Sequence, residues 1–372
     1  MTVTGFELRR VALPLVSPFR TSFGTEHERD VLLVRAVGPD AEGWGECVAM
    51  SEPLYSSEHV DGAVEVIRRF LLPEVAALAK AGDLTVARVE AAFARVKGHP
   101  MAKAAVLTAL LDQSLRRSGM SFGAFLGAVR PRVPSGVSVG IMPSIDALLD
   151  AVQSYVDQGY LRIKLKIEPG WDVAPVRAVR ERFGDELLLQ VDANTAYTLA
   201  DARHLARLDA FDLLLIEQPL PEDDLRGHAA LARLIRTPVC LDESITSARA
   251  AADAIALGAT SVVNVKPGRV GGYLEARRVH DVCAANGVPV WCGGMLETGV
   301  GRAANVALAA LPNFTLPGDT SASDRYFARD ITRPFVLEEG HVAVPTGPGL
   351  GVTPDPDILT EITTATEWLP LS

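Results

Sequence analysis

Cysteine is scarce and unpaired in pattern: Cys47, Cys240, Cys283 and Cys292 include no CxxC spacing. That removes thiolate zinc sites and dithiol redox chemistry, and leaves reduced, cytoplasmic thiols as the expectation. No apolar run approaches the roughly 20 residues of a membrane-spanning helix. Met1 to Phe19 carries Glu7, Arg9 and Arg10 where a signal peptide would have its apolar core. Basic clustering is absent as well. With 46 acidic residues against 36 Lys and Arg, the formal net charge is -10, which argues against a nucleic-acid partner. A glycine-rich phosphate loop is missing too, since Ser138-Val139-Gly140-Ile141 offers none after the first strand of the alternating region. What remains is 372 residues, 48% of them hydrophobic, enough for one large domain and a smaller one.

Alternating apolar and polar residues from Gly5 to Leu13, then Val31 to Val37 and Trp44 to Val48, predict a small antiparallel sheet. Helical periodicity follows at about 60–81, 86–96 and 102–117, with Gly82, Gly98 and Gly119 as stops. Residues 1–130 therefore read as an α+β capping domain. From Pro131 to Asp324 short strands and amphipathic helices alternate, with eight strands near Gly136, Leu161, Leu187, Phe211, Val239, Ser261, Val288 and Phe314. This is the period of an α/β barrel of the TIM type. Residues 325–372, with a hairpin at 335–344, break that period and are expected to return to the capping domain.

Four charged positions stand out within the barrel region. Asp192, Glu217, Asp242 and Lys266 follow one another at separations of 25, 25 and 24 residues, the length of one strand-plus-helix unit. Each ends an apolar run, and a parallel barrel gathers such strand ends at the rim where barrel enzymes keep their chemistry. Three carboxylates facing one point repel each other unless a cation lies between them. An oxygen-only set favours Mg²⁺ or Mn²⁺ over zinc. In Lys164-Leu165-Lys166 period 2 sends both lysines to one side, where mutual repulsion is expected to lower the pKa of Lys166 towards that of a base. Lys266 faces them four strands round the ring, with Arg269 pressing on it. Asn194 and Glu243 are candidates to orient these groups, or simply to cap their loops.

Taken together, Lys164-x-Lys166, Asp192-x-Asn194, Glu217-Gln218-Pro219, Asp242-Glu243-Ser244 and Lys266-Pro267 resemble the muconate lactonizing enzyme branch of the enolase superfamily. The likeness covers essentially the whole chain. It implies a modified (β/α)₇β barrel under an N-terminal cap, and an essential divalent metal, Mg²⁺ with Mn²⁺ or Co²⁺ as substitutes, held by Asp192, Glu217 and Asp242. It also implies an acid/base pair, Lys166 and Lys266, with Lys164 beside them, and a homo-oligomer, dimer or octamer. The histidine-based branch typified by mandelate racemase is disfavoured, because all seven histidines avoid the strand ends.

Within that branch, Ser17 to Gly24, Gly43 to Cys47, Trp291 to Gly299 and Gly318-Asp319 resemble the group of N-acylamino acid racemases and o-succinylbenzoate synthases. The resemblance implies a small-molecule carboxylate substrate. Phe19, Phe23, Met50 and Tyr55 would form an apolar lid over it, and Ser138, Gly294, Met295 and Asp319 would stand near it. The activity implied is racemisation of N-acylamino acids, N-succinyl compounds in particular. Dehydration to o-succinylbenzoate through the same enolate is the alternative, and dipeptide epimerisation a more distant one.

Overall fold

The computed structural model describes residues 1–371. Strands β1 (Gly5–Arg20), β2 (Thr25–Val37) and β3 (Glu42–Cys47) form the antiparallel sheet that opens the chain. Its alternation is masked at Val31-Leu32-Leu33-Val34, where every residue is buried, because both faces of the sheet are covered. Leu32 and Val34 pack into the cap's own core, while Val31 and Leu33 join the core shared with the barrel. Period 2 thus divides one apolar run between two cores.

The cap helices are Val60–Val66, a π turn at Ile67–Leu71, Leu72–Lys80, Val86–Phe93 and the long Pro100–Ser118. Glu58 holds the start of the long helix by accepting the Met101 N–H, at 2.9 Å and 2.7 Å to its two oxygens. The sheet lies hard against that helix. A Cβ on Gly43 would meet the Ala109 carbonyl oxygen at 2.2 Å and one on Gly45 the Ala105 oxygen at 2.1 Å, so Gly43-Trp44-Gly45 is a packing motif. Glu46 then reaches the barrel, accepting from Thr298 Oγ1 at 2.6 Å and Gly301 N at 3.0 Å.

After β4 (Arg132–Pro134) come the seven parallel strands β5 (Gly136–Val139), β6 (Arg162–Lys166), β7 (Leu188–Asp192), β8 (Ile216–Glu217), β9 (Val239–Leu241), β10 (Val262–Val265) and β11 (Val290–Cys292), paired in chain order. Two expected strands differ. The one sought near Phe211 is a 3₁₀ helix at Ala206–Phe211 followed by the short β8. The eighth is no regular strand but an irregular segment closing the barrel, with Phe314 bridged to Val290 and Gly318 to Ser135. The architecture is the modified TIM barrel, (β/α)₇β in kind, beneath an α+β cap.

The hairpin of β12 (Leu337–Glu338) and β13 (His341–Ala343) pairs with β4. Its turn, Glu339-Gly340, has φ of 48° and 74°, the left-handed pair that a two-residue hairpin favours. Strand β14 (Thr363–Pro370) lies antiparallel on β1. No helix among the described residues is long and apolar enough to cross a membrane.

Candidate active site

Strand β6 carries three cations on one face, Arg162, Lys164 and Lys166, all buried. Each has a carboxylate. Arg162 Nη2 lies 2.9 Å from Asp319 Oδ1, and Lys164 Nζ lies 2.8 Å from Asp319 Oδ2 and 3.0 Å from Glu217 Oε2. Lys166 Nζ donates to Asp192 Oδ2 and to Asn194 Oδ1, both at 2.6 Å. Lys266, the residue after β10, donates to Asp242 Oδ2 at 2.7 Å and to the Tyr55 hydroxyl at 3.2 Å. Arg269 also pairs with Asp242, and donates to the carbonyls of Ile245 at 2.8 Å and Asn264 at 2.6 Å.

The expected repulsion between Lys164 and Lys166 is therefore screened by interposed carboxylates. Burial alone would lower the pKa of Lys164, but Asp319, Glu217 and Asp192 raise it above the ordinary lysine value. At Lys266 burial is likewise overridden, by Tyr55, Glu217, Glu243 and Asp192, and the pKa rises. Burial would raise Asp192, yet Lys166 and Lys164 hold it below the usual carboxylate range. Glu217 goes the other way, raised by burial and by the charge of Asp192.

Several supporting residues were not singled out from the sequence. Asn264 Nδ2 donates to Glu217 Oε1 at 2.5 Å, and Gly293 must lack a side chain because its Cβ would lie 2.3 Å from Asn264 Oδ1. Gln218 Oε1 accepts from the Asp242 and Ser244 N–H groups at 3.0 Å and 3.2 Å. Trp291 lies beneath Lys164, whose Nζ is 4.7 Å from the ring centroid, and beneath Arg162 at 5.1 Å. Arg162 was legible by period 2 from Lys164; Asn264 was hidden inside an apolar strand.

A cavity opens above these charges. Phe19, Phe23, Met50, Tyr55, Lys166, Asn194, Lys266, Gly294 and Met295 line it, as do Thr21, Arg29 and Leu296. The cap supplies one side and the barrel the other. Ser22 Oγ fastens the overlying loop, donating to the Ala193 and Asn194 carbonyls at 3.3 Å. Of the expected residues, Lys164, Asp192, Glu217, Asp242, Glu243 and Arg269 lie outside this lining, and so do Ser138 and Asp319. Ser138 Oγ donates to Asp319 at 3.2 Å, so this pair belongs to the charge layer with Arg162 and Lys164. Tyr55 is more than an apolar wall, since its hydroxyl reaches both Lys266 and, at 3.3 Å, Asp242.

Comparison with known proteins bears on this arrangement. Residues 4–127 match the family described as mandelate racemase / muconate lactonizing enzyme, N-terminal domain, and residues 147–358 match that described as enolase C-terminal domain-like. The chain belongs to the mandelate racemase/muconate lactonizing enzyme family. It is an enzyme of the enolase superfamily. It is 69% identical over 369 residues to an N-succinylamino acid racemase of Amycolatopsis sp, covering 99% of this chain and 100% of that one. An o-succinylbenzoate synthase of Geobacillus kaustophilus is 48% identical, over 94% of this chain and 92% of its own. The solved structure of an enolase superfamily member from Listeria innocua superposes with a TM-score of 0.95 at 40% identity, covering 100% of both chains.

Enzymes of this superfamily need a divalent metal. As they stand, no three acidic, histidine or cysteine side chains among the described residues are gathered closely enough to hold one. Lysines and Arg269 lie against the carboxylates instead. The donor chemistry nevertheless fits a hard cation. Asp192, Glu217 and Asp242 are oxygen-only and at most 1% exposed, and the lysines pressed on them have flexible stems that can swing away. The buried Glu243 Oε2 lacks any partner, a further oxygen available to a cation or to the ligands around it.

Proposed function

We propose that this enzyme racemises N-acylamino acids, with N-succinylamino acids as the preferred class. The observation carrying that reading is that Lys166 and Lys266, from β6 and the end of β10, line one cavity. A substrate whose α-carbon sits between them meets an amine on each face. One lysine takes the α-proton as a free amine and the other, as ammonium, returns one to the opposite face, which inverts the centre. Roles exchange for the other enantiomer.

Asp192, Glu217 and Asp242 would hold the divalent ion, whose charge offsets that developing on the substrate carboxylate as the α-proton leaves. With those carboxylates so engaged, Lys166 and Lys266 are released from their ion pairs with Asp192 and Asp242, and either can turn to the substrate. Asn194 fixes Lys166 through its Oδ1, and Tyr55 fixes Lys266 through its hydroxyl. Lys164 keeps Asp319, outside the metal set, as a partner at 2.8 Å, and so stays cationic. Phe19, Phe23, Met50 and Met295 exclude water and contact the apolar part of the substrate. The residue ranges 1–130, 131–324 and 325–372 are proposed as cap, barrel and returning segment.

A second reading, o-succinylbenzoate synthesis, is favoured by the 48% identity to enzymes so named. It needs the same proton abstraction, with loss of a β-hydroxyl in place of reprotonation, so the two activities can share the site. Purified enzyme with Mg²⁺ is expected to racemise N-succinyl-L-phenylalanine, followed by polarimetry. Dehydration of the hydroxy acid alone, without racemisation, would make the synthase the sole activity. Neither reaction would overturn both readings.

A further inference from the structure

Arg29, on β2, is 2% exposed and lines the cavity from the cap side. Its surroundings differ from those of the other buried arginines near the site. Arg162 and Arg269 each pair with a carboxylate, and Arg302 donates to the Ser321 carbonyl at 2.6 Å. Arg29 reaches only the carbonyls of Val48 and Ala49, at 3.4 Å and 3.5 Å, and its Nε has no partner. Glu26, the other charged group that the cap gives this lining, is near enough for Arg29 to favour its ionised form but makes no direct ion pair with it among the described residues. A guanidinium enclosed without a direct ion pair and with hydrogen bonds this long is costly, and an anion binding it from the cavity would reduce that cost.

Resting on the racemase reading above, the geometry points to the anion. The substrate's α-carboxylate belongs at the barrel end, with the α-carbon between Lys166 and Lys266. The N-acyl chain then extends towards the cap, where Phe19, Phe23 and Met50 line the cavity with Thr21, Glu26 and Arg29. We propose that Arg29 binds the terminal carboxylate of an N-acyl group, and so selects N-succinyl substrates over neutral acyl analogues of the same length. A bidentate guanidinium–carboxylate contact gives that choice both geometry and energy.

The test compares N-succinyl- and N-butyrylphenylalanine, whose acyl groups have the same number of carbons and differ in the terminal carboxylate. In Arg29→Met, KM for the N-succinyl substrate should rise about 30-fold, while N-butyryl turnover changes by less than about threefold. Arg29→Lys should fall between. Equal losses on both substrates together with a lowered melting temperature would instead make Arg29 a tie for the 48–49 loop, and no loss on either would also overturn the proposal. Calorimetry of N-succinylglycine and N-butyrylglycine binding to wild type and Arg29→Lys supplies a readout independent of turnover. If the wild type racemises neither substrate, the racemase reading falls. Arg29 then stands only if wild type prefers the succinyl ligand and the variant loses that preference.

Discussion

Below the cavity each lysine has a carboxylate oxygen between 2.6 Å and 2.8 Å away, whereas above it Arg29 has only two carbonyls at 3.4 Å and 3.5 Å. The barrel end holds five carboxylates, Asp192, Glu217, Asp242, Glu243 and Asp319, against five cations, Arg162, Lys164, Lys166, Lys266 and Arg269, nearly all enclosed. It is balanced before a substrate arrives. A divalent ion would add two positive charges to that layer, which the substrate's α-carboxylate offsets in part. The cap side is mostly apolar and leaves its one buried cation open. On the roles proposed above, reaction and selection are housed in different parts of the fold: one in the strand ends of the barrel, the other in a sheet and loops laid over them.

The sharpest way to break this contrast is at the barrel end. Chelation, or Glu217→Gln, should reduce kcat/KM on the order of a thousandfold for every substrate alike. Mg²⁺ should restore the chelated wild type. A loss that depended on the acyl group would mean that the barrel end also selects. On the cap side, Phe23→Ala should raise KM roughly tenfold for bulky side chains and far less for small ones, with kcat little changed. A uniform fall in kcat would show that the cap takes part in the reaction itself.

The smallest effect concerns how the cap is held. Burial pushes the Glu58 carboxyl up from 4.5 to about 7, so the folded protein keeps this proton over a range where the unfolded chain has released it. Its contribution to stability is full below about pH 4.5 and is lost as pH rises through about 7. Glu58→Gln should flatten that slope, by on the order of 2 kcal/mol in urea unfolding between pH 4.5 and 7.5. Stability of the wild type that rose over this interval through Glu58 would reverse the sign.

Much of the barrel end was legible because a strand and a helix together make a fixed chain length, so 24–25-residue spacing is a geometric statement. Asp192, Glu217, Asp242 and Lys266 lie together for that reason. The same logic failed near Phe211, where apolar residues serve a 3₁₀ turn, and at the barrel's closing segment, held by single bridges. Asn264 was missed because a lone amide in Val262–Val265 carries no periodic signal. Arg29 was missed for a different reason. Flanked by Glu28 and Asp30, it reads as one more solvated charge, and the carbonyls of Val48 and Ala49 reach it only in the folded chain. Gly43 to Cys47 entered only as part of a resemblance, and what its glycines do, make room for the helix behind β3, comes from packing. Period along the chain reports strand ends; it cannot report what covers them.

Two opposed lysines under one cap are tested most directly by stereospecific exchange. Lys166→Ala and Lys266→Ala, each in D₂O with Mg²⁺, are given the two pure enantiomers of one N-succinylamino acid and followed by NMR. Racemisation should vanish in both variants, while each retains α-deuteration of one enantiomer only, and of opposite ones. Unimpaired racemisation in either variant, or deuteration of the same enantiomer by both, would contradict the assignment of one lysine to each face.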